Sequence, residues 1–190
     1  MKKRKKKKKV ARSNAWKNLE KTVASTLNGI RILRGADYSQ SLPDVIVPDI
    51  TDWDYSNSGI PIKNNTSIVV ECKHSQTQPF VDLLEPLLDT PGSNVVEIED
   101  FVFWNFEDTP KGSFIGLWNS LDMDGKITVV LKKIPQYIKD NYAQAVGYNT
   151  KMFPNLKKDI FRMVVIAKKN SPFRVAYTRR DALEELIQNL

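Results

Sequence analysis

The sequence is short of the residues on which many catalytic and structural devices depend. It has one cysteine, Cys72, and one histidine, His74. A lone cysteine excludes an internal disulfide and a cysteine-rich zinc site. A lone histidine argues against a Ser-His hydrolase or a histidine-rich metal centre. Long apolar runs are missing too: no stretch approaches the roughly 20 residues that span a bilayer, and the N-terminus lacks the apolar core of a secretory signal. An intracellular protein with no membrane partner is therefore expected.

Net positive charge is also missing, outside one place. The net charge is +7, but residues 2–9, "KKRKKKKK", carry +8, so the rest of the chain carries −1. Such a block repels itself and does not fold alone, and it suits phosphate backbones or an import receptor. Lys5, Lys6 and Lys7, at its centre, are candidate DNA contacts. The blander alternative is a solvated end with no specific partner. A near-neutral body binds DNA only where its acidic residues gather around metal ions that neutralise them. With 190 residues, 41% of them hydrophobic, the chain can build one domain with a real core, expected over 13–190 behind a basic tail at 1–12.

The patterning gives an α/β order. In "NAWKNLEKTVASTLNG", Trp16, Leu19, Val23 and Leu27 make one helical stripe, with Ser13 or Asn14 as N-cap and Asn28-Gly29 as its end. "IRIL" (30–33), "DVIV" (44–47) and "SIVVECKH" (67–74) read as strands, the last two joined by a long polar loop. Residues 80–134 are harder to read, and they are expected to form an insertion or subdomain carrying "FVDLLEPLL", "FVFWNF" and a strand in "KITVVLKK". "QYIKDNYAQAVGYN" then reads as a helix with Ile138, Tyr142, Ala145 and Val146 on one side. "IFRMVVIAKK" and "FRVAYT" read as strands, and "RDALEELIQNL" as a closing helix. The order predicts a mixed central sheet with helices on both faces.

One strand raises a chemical question. In "TSIVVECKHS", alternation turns Glu71 and Lys73 to one face and Cys72 and His74 to the other. Asp44, after Pro43 at the start of the preceding strand, joins Glu71 and Lys73 at one end of the sheet if the two strands pair. Two carboxylates with one lysine between them repel, and a hard divalent cation with oxygen ligands relieves that repulsion. Mg²⁺, or Mn²⁺ in its place, is the expected cofactor. Lys73 would then hold a water or stabilise charge building on a phosphate.

The pair "PD" at 43–44 and "ECK" at 71–73 resembles the signature of the PD-(D/E)xK nucleases. Together with the preceding glutamate-bearing helix and the loop "RGADYSQSLP", it is similar to archaeal and phage-type Holliday junction resolvases. The resemblance covers residues 12–75, and more loosely 137–177; residues 80–134 have no counterpart in it. It implies the restriction-endonuclease-like α/β fold and Mg²⁺-dependent cleavage of branched DNA, a four-way (Holliday) junction, by a homodimer. The metal ligands it implies are Asp44, Glu71 and the main-chain carbonyl of Cys72, with Glu20 completing the site. Lys73 is the implied catalytic lysine, and Ser39 or Ser41 the implied loop serine on the DNA side. Gln144 and Tyr148, four apart on one helical face, resemble the Q-x-x-x-Y of related nucleases, where the motif helps position the active site and DNA. A phage or viral source would follow, placing the protein in the cytoplasm or nucleoid, or in a nucleus if the tail is an import signal.

Each motif also has a plainer reading. PD and E-x-K are short enough to arise by chance. Asp49 repeats the Pro-Asp dipeptide, but it leads into a polar loop, whereas three β-branched residues follow Asp44. Glu20, Gln144 and Tyr148 could be ordinary helix residues. "DMDG" (122–125) fits a tight turn better than a calcium loop, and "FVFWNF" fits a core or subunit contact better than a base-stacking surface. Two other functions stay open: a nuclease of the same fold acting on ends, flaps or duplex, and a non-catalytic DNA-binding or packaging protein. An unrelated structural protein is the third possibility.

Overall fold

The computed structural model describes residues 14–33, 41–50, 66–75, 79–89, 95–108, 127–129 and 133–188. The basic tail with Lys5, Lys6 and Lys7, Ser39, most of the loop before β3 and the "DMDG" turn lie outside the described residues.

The first helix, α1 (Ala15–Leu27), ends where the sequence expects: Asn28 adopts the left-handed conformation (φ 56°), and the Gly29 N–H donates to the Ala24 carbonyl at 2.8 Å. Gly29 has a second reason to be glycine. A Cβ there would lie 2.8 Å from the Ile46 carbonyl oxygen, so the next strand passes too close for any side chain. Leu19, Val23 and Leu27 are buried, but Trp16, expected on the same stripe, is 48% exposed. It sits in the first turn of the helix, beyond the buried part of the stripe.

Strands β1 (Ile30–Arg31), β2 (Val45–Val47) and β3 (Thr66–Ser75) form an antiparallel set, with Val45 opposite Val70. Helix α2 (Pro79–Leu88) buries Phe80, Val81, Leu84 and Leu88, one face at helical spacing, which makes the apolar "FVDLLEPLL" a helix. Then come β4 (Val95–Ile98), β5 (Phe101–Asn105), β6 (Ile127–Val129), α3 (Gln136–Val146), β7 (Asp159–Lys168), β8 (Arg174–Arg179) and α4 (Arg180–Gln188).

The described strands make one mixed sheet in the order β1-β2-β3-β7-β8-β5-β4-β6. Only β3/β7 and β4/β6 are parallel, and β3 reaches β7 by a long crossover, as parallel neighbours require. The described strands of segment 80–134 belong to this common sheet: β5 pairs with β8, and β4 lies between β5 and β6. The aromatic run lies within it. Phe101, Phe103, Trp104 and Phe106 are all buried, so they are core residues, as the plainer reading has it.

Helices cover both faces. One apolar cluster joins α1 and α4 to Val45, Val47, Ile68, Val70 and Val165; the other joins α2 and α3 to Ile46, Val69, Phe103 and Tyr177. In α3, Ile138, Tyr142 and Ala145 are buried, whereas Val146 is 50% exposed at the helix end and falls outside the expected face. No helix among the described residues is long and apolar enough to cross a membrane.

Candidate active site

The start of β2 delivers a carboxylate to β3. Asp44 stands one residue before β2; its N–H donates to the Val70 carbonyl (3.1 Å), and its carbonyl accepts from Ile32 N–H (2.9 Å). Those bonds continue the ladder on both sides and fix the backbone, so the carboxylate is aimed rather than free to turn. Its Oδ2 accepts the Cys72 N–H at 2.8 Å. The N–H and C=O of a strand residue point the same way, which puts the Cys72 carbonyl on the Asp44 side as well.

The alternation predicted for β3 holds. Glu71 and Lys73 share the face covered by α3, while Cys72 packs against the cluster under α1 and His74 lines a different surface hollow with Ala15, Asn18 and Thr22. Glu71 is 2% exposed and Asp44 6%. Lys73 Nζ forms an ion pair with Glu71 Oε1 and donates to Gln144 Oε1 at 2.9 Å. Gln144 Nε2 in turn donates to the Tyr148 hydroxyl at 3.1 Å. The two α3-side residues thus hold the lysine from across the sheet face. Tyr148 is 4% exposed, with its hydroxyl turned to Gln144.

The electrostatics are strained in one direction. Burial, and next the charge of Asp44, push the Glu71 carboxyl up to about 7, with Lys73 pulling the other way. Glu71 Oε2 is buried with no hydrogen-bond partner. Burial, followed by the carboxylates of Asp44, Glu20 and Glu71, also pushes the Cys72 thiol well up. The Cys72 side chain packs on the face opposite Glu71, so toward Asp44 it presents its main chain.

These groups line a cleft of about 540 Å³, together with Trp16, Lys17, Arg31 and Leu33. Glu20 lines it too and is 6% exposed, but it comes from α1, on the other side of the sheet, and is ion-paired with Arg31 at 2.6 Å. Ser41 is exposed and not among the lining residues. Asp49 lies past the other end of β2: it pairs with Lys157 at 3.0 Å, next to Ser67, whose hydroxyl joins the Pro48 carbonyl and the Lys157 N–H. Of the two Pro-Asp dipeptides, Asp44 alone reaches Cys72.

Among the described residues, no three His, Cys, Asp or Glu side chains are grouped as a metal site. The donor set at hand is two carboxylates and the Cys72 carbonyl. It suits Mg²⁺, which binds through one or two carboxylates and keeps several waters, and the orphaned Glu71 oxygen is the atom a cation would satisfy. The sequence reading missed Arg31. The available signal was a single cation in the apolar strand "IRIL", opposite the helix glutamate.

No family model, curated protein or solved structure matches the chain.

Proposed function

We propose that this chain is a metal-dependent endodeoxyribonuclease of the restriction-endonuclease-like class, hydrolysing phosphodiester bonds in branched DNA in the manner of Holliday junction resolvases. The observation that carries the reading is the convergence of Asp44, Glu71 and Lys73 on one cleft, with Gln144 bonded to the lysine. Residues 80–134 then count as an insertion whose strands widen the sheet.

Asp44, Glu71 and the Cys72 carbonyl would hold Mg²⁺ or Mn²⁺. The bound ion would neutralise phosphate charge and lower the pKa of a water. Lys73 supplies a cation that Gln144 keeps in place, able to orient the attacking water or stabilise charge on the phosphate. Glu20 and Arg31 form the polar wall beside them, and an Arg guanidinium there is suited to phosphate. The lining cations Lys17, Arg31 and Lys73 equal the carboxylates Glu20, Asp44 and Glu71 in number, so a divalent ion turns the cleft positive, as a DNA backbone requires. Cutting a junction symmetrically needs two sites, hence a homodimer. The tail adds affinity without sequence choice, and deleting it should flatten the salt dependence of binding.

Rates on an immobile four-way junction, a flap and a linear duplex test the substrate. Preference for the junction with paired nicks supports a resolvase; equal or better cutting of flaps or duplex makes it a nuclease of the same fold with another target. A second reading, a non-catalytic DNA-binding or packaging protein, rests on the basic run at 2–9. Tight binding with no cleavage in Mg²⁺ or Mn²⁺ would select it.

A further inference from the structure

The cleft has a mouth that the carboxylate chemistry does not use. Trp16, in the first turn of α1, is 48% exposed, and Leu33, just past β1, is 71% exposed; both line the same cleft as Asp44 and Glu71. Large apolar side chains left in water beside a charged site call for an explanation, since Trp is usually well buried. The neighbours say what would cover them. The Lys17 ammonium lies 5.3 Å from the Trp16 ring centroid, and Arg31 and Lys73 stand deeper in the cleft. An aromatic ring with a lysine beside it, at the mouth of a charged cleft, matches a nucleotide, a flat base joined to a phosphate, better than it matches an apolar protein surface.

In a duplex the faces of the bases are occupied by their neighbours, so a protein ring stacks only on a base that has left the stack. The cleft volume of about 540 Å³ falls in the range of pockets that enclose one small ligand. It suits one extruded nucleotide and is too small for a double helix. We propose that Trp16 is a stacking platform for an unpaired base next to the scissile phosphate, with Leu33 closing the other side of the mouth and Lys17 facing the backbone. The substrate class is DNA carrying an unstacked nucleotide at the cleavage point, as at a branch, flap or bulge. This rests on the nuclease reading for the identity of the ligand as DNA; the place of an exposed Trp16 at the cleft does not depend on it.

The test uses the full chain, in Ca²⁺ so that binding is read, and two DNAs: a paired duplex, and the same duplex with one unpaired 2-aminopurine. Wild type should prefer the unpaired DNA and quench the 2-aminopurine. Trp16→Ala should lower that preference about tenfold and lose the quench, in line with the usual loss per stacked base. Trp16→Phe, which keeps a ring, should retain most of both. An unchanged preference and quench in Trp16→Ala overturns the proposal. So does a Trp16→Ala that keeps both while turning a dimer into a monomer by light scattering, since Trp16 would then cover a second copy of the chain. Cleavage in Mg²⁺, run alongside, separates the two claims. Wild-type cutting with no Trp16 effect leaves the nuclease standing and removes the platform; a Trp16 effect without cutting by wild type does the reverse.

Discussion

Replacing Glu71 by Gln should make the metal-free protein more stable at pH 8 while removing its activity. Glu71 is 2% exposed, and its carboxyl is pushed from the usual value of 4.5 to about 7, by burial first and then by Asp44. That value already includes the opposing attraction of Lys73. The folded protein therefore holds the Glu71 proton up to about pH 7, whereas the unfolded chain releases it near 4.5. The stability this provides is complete below 4.5 and is lost as pH rises through 7. At about 1.4 kcal/mol per pH unit, the loss comes to about 3 kcal/mol. Gln keeps the shape and cannot ionise. Urea unfolding at pH 4 and pH 8 should show Glu71→Gln gaining about 3 kcal/mol more, relative to wild type, at the higher pH. Mg²⁺ should narrow the gap at pH 8 by stabilising wild type more than the variant. An equal effect of the substitution at both pH values would refute the claim that a buried, repelled carboxylate sits at this site.

Other consequences are simpler. Asp44→Asn should abolish cleavage and weaken Mg²⁺ binding measured calorimetrically, while Asp49→Asn leaves both intact and shifts stability by no more than about 1 kcal/mol, since its pair with Lys157 is a surface one. Gln144→Ala, which frees Lys73 on one side, should lower the cleavage rate with little change in DNA binding; Tyr148→Phe, which removes only the hydroxyl that Gln144 bonds, should have a smaller effect, worth about 1 kcal/mol of stability by thermal melting. Gly29→Ala should destabilise by about 1–3 kcal/mol, because the added methyl meets the Ile46 carbonyl oxygen. Unchanged melting of that variant would mean that α1 and β2 can move apart.

Much of the frame was legible in the sequence because its signals are local. The periodicity of α1, the Asn28-Gly29 end and the alternation in β3 each depend on neighbouring residues, and each matches the structure. Pairing Asp44 with Glu71 and Lys73 needed one inference beyond this, that β2 and β3 are antiparallel neighbours, and the observed register bears it out. Segment 80–134 was not legible in the same way. One of its strands, β5, finds a partner far away in the chain, β8, and no local pattern encodes that pairing. The arrangement around Glu20 was missed for a related reason: α1 covers the sheet face opposite Glu71, so the helix glutamate meets Arg31 of β1 at the cleft wall. Trp16 shows the limit of the stripe itself. Helical spacing says which residues share a face, but not where the sheet beneath that face ends.

The central claim is that Asp44, Glu71 and Lys73 form a working phosphodiesterase site. Its most direct measurement is nicking of an end-labelled immobile four-way junction in Mg²⁺ by wild type, Glu71→Gln and Lys73→Ala, with junction binding recorded for all three. The account predicts Mg²⁺-dependent nicks by wild type that vanish in both variants while the junction is still bound. Wild-type protein that binds the junction and leaves it uncut in Mg²⁺ and Mn²⁺, or variants that cut as well as wild type, would contradict it.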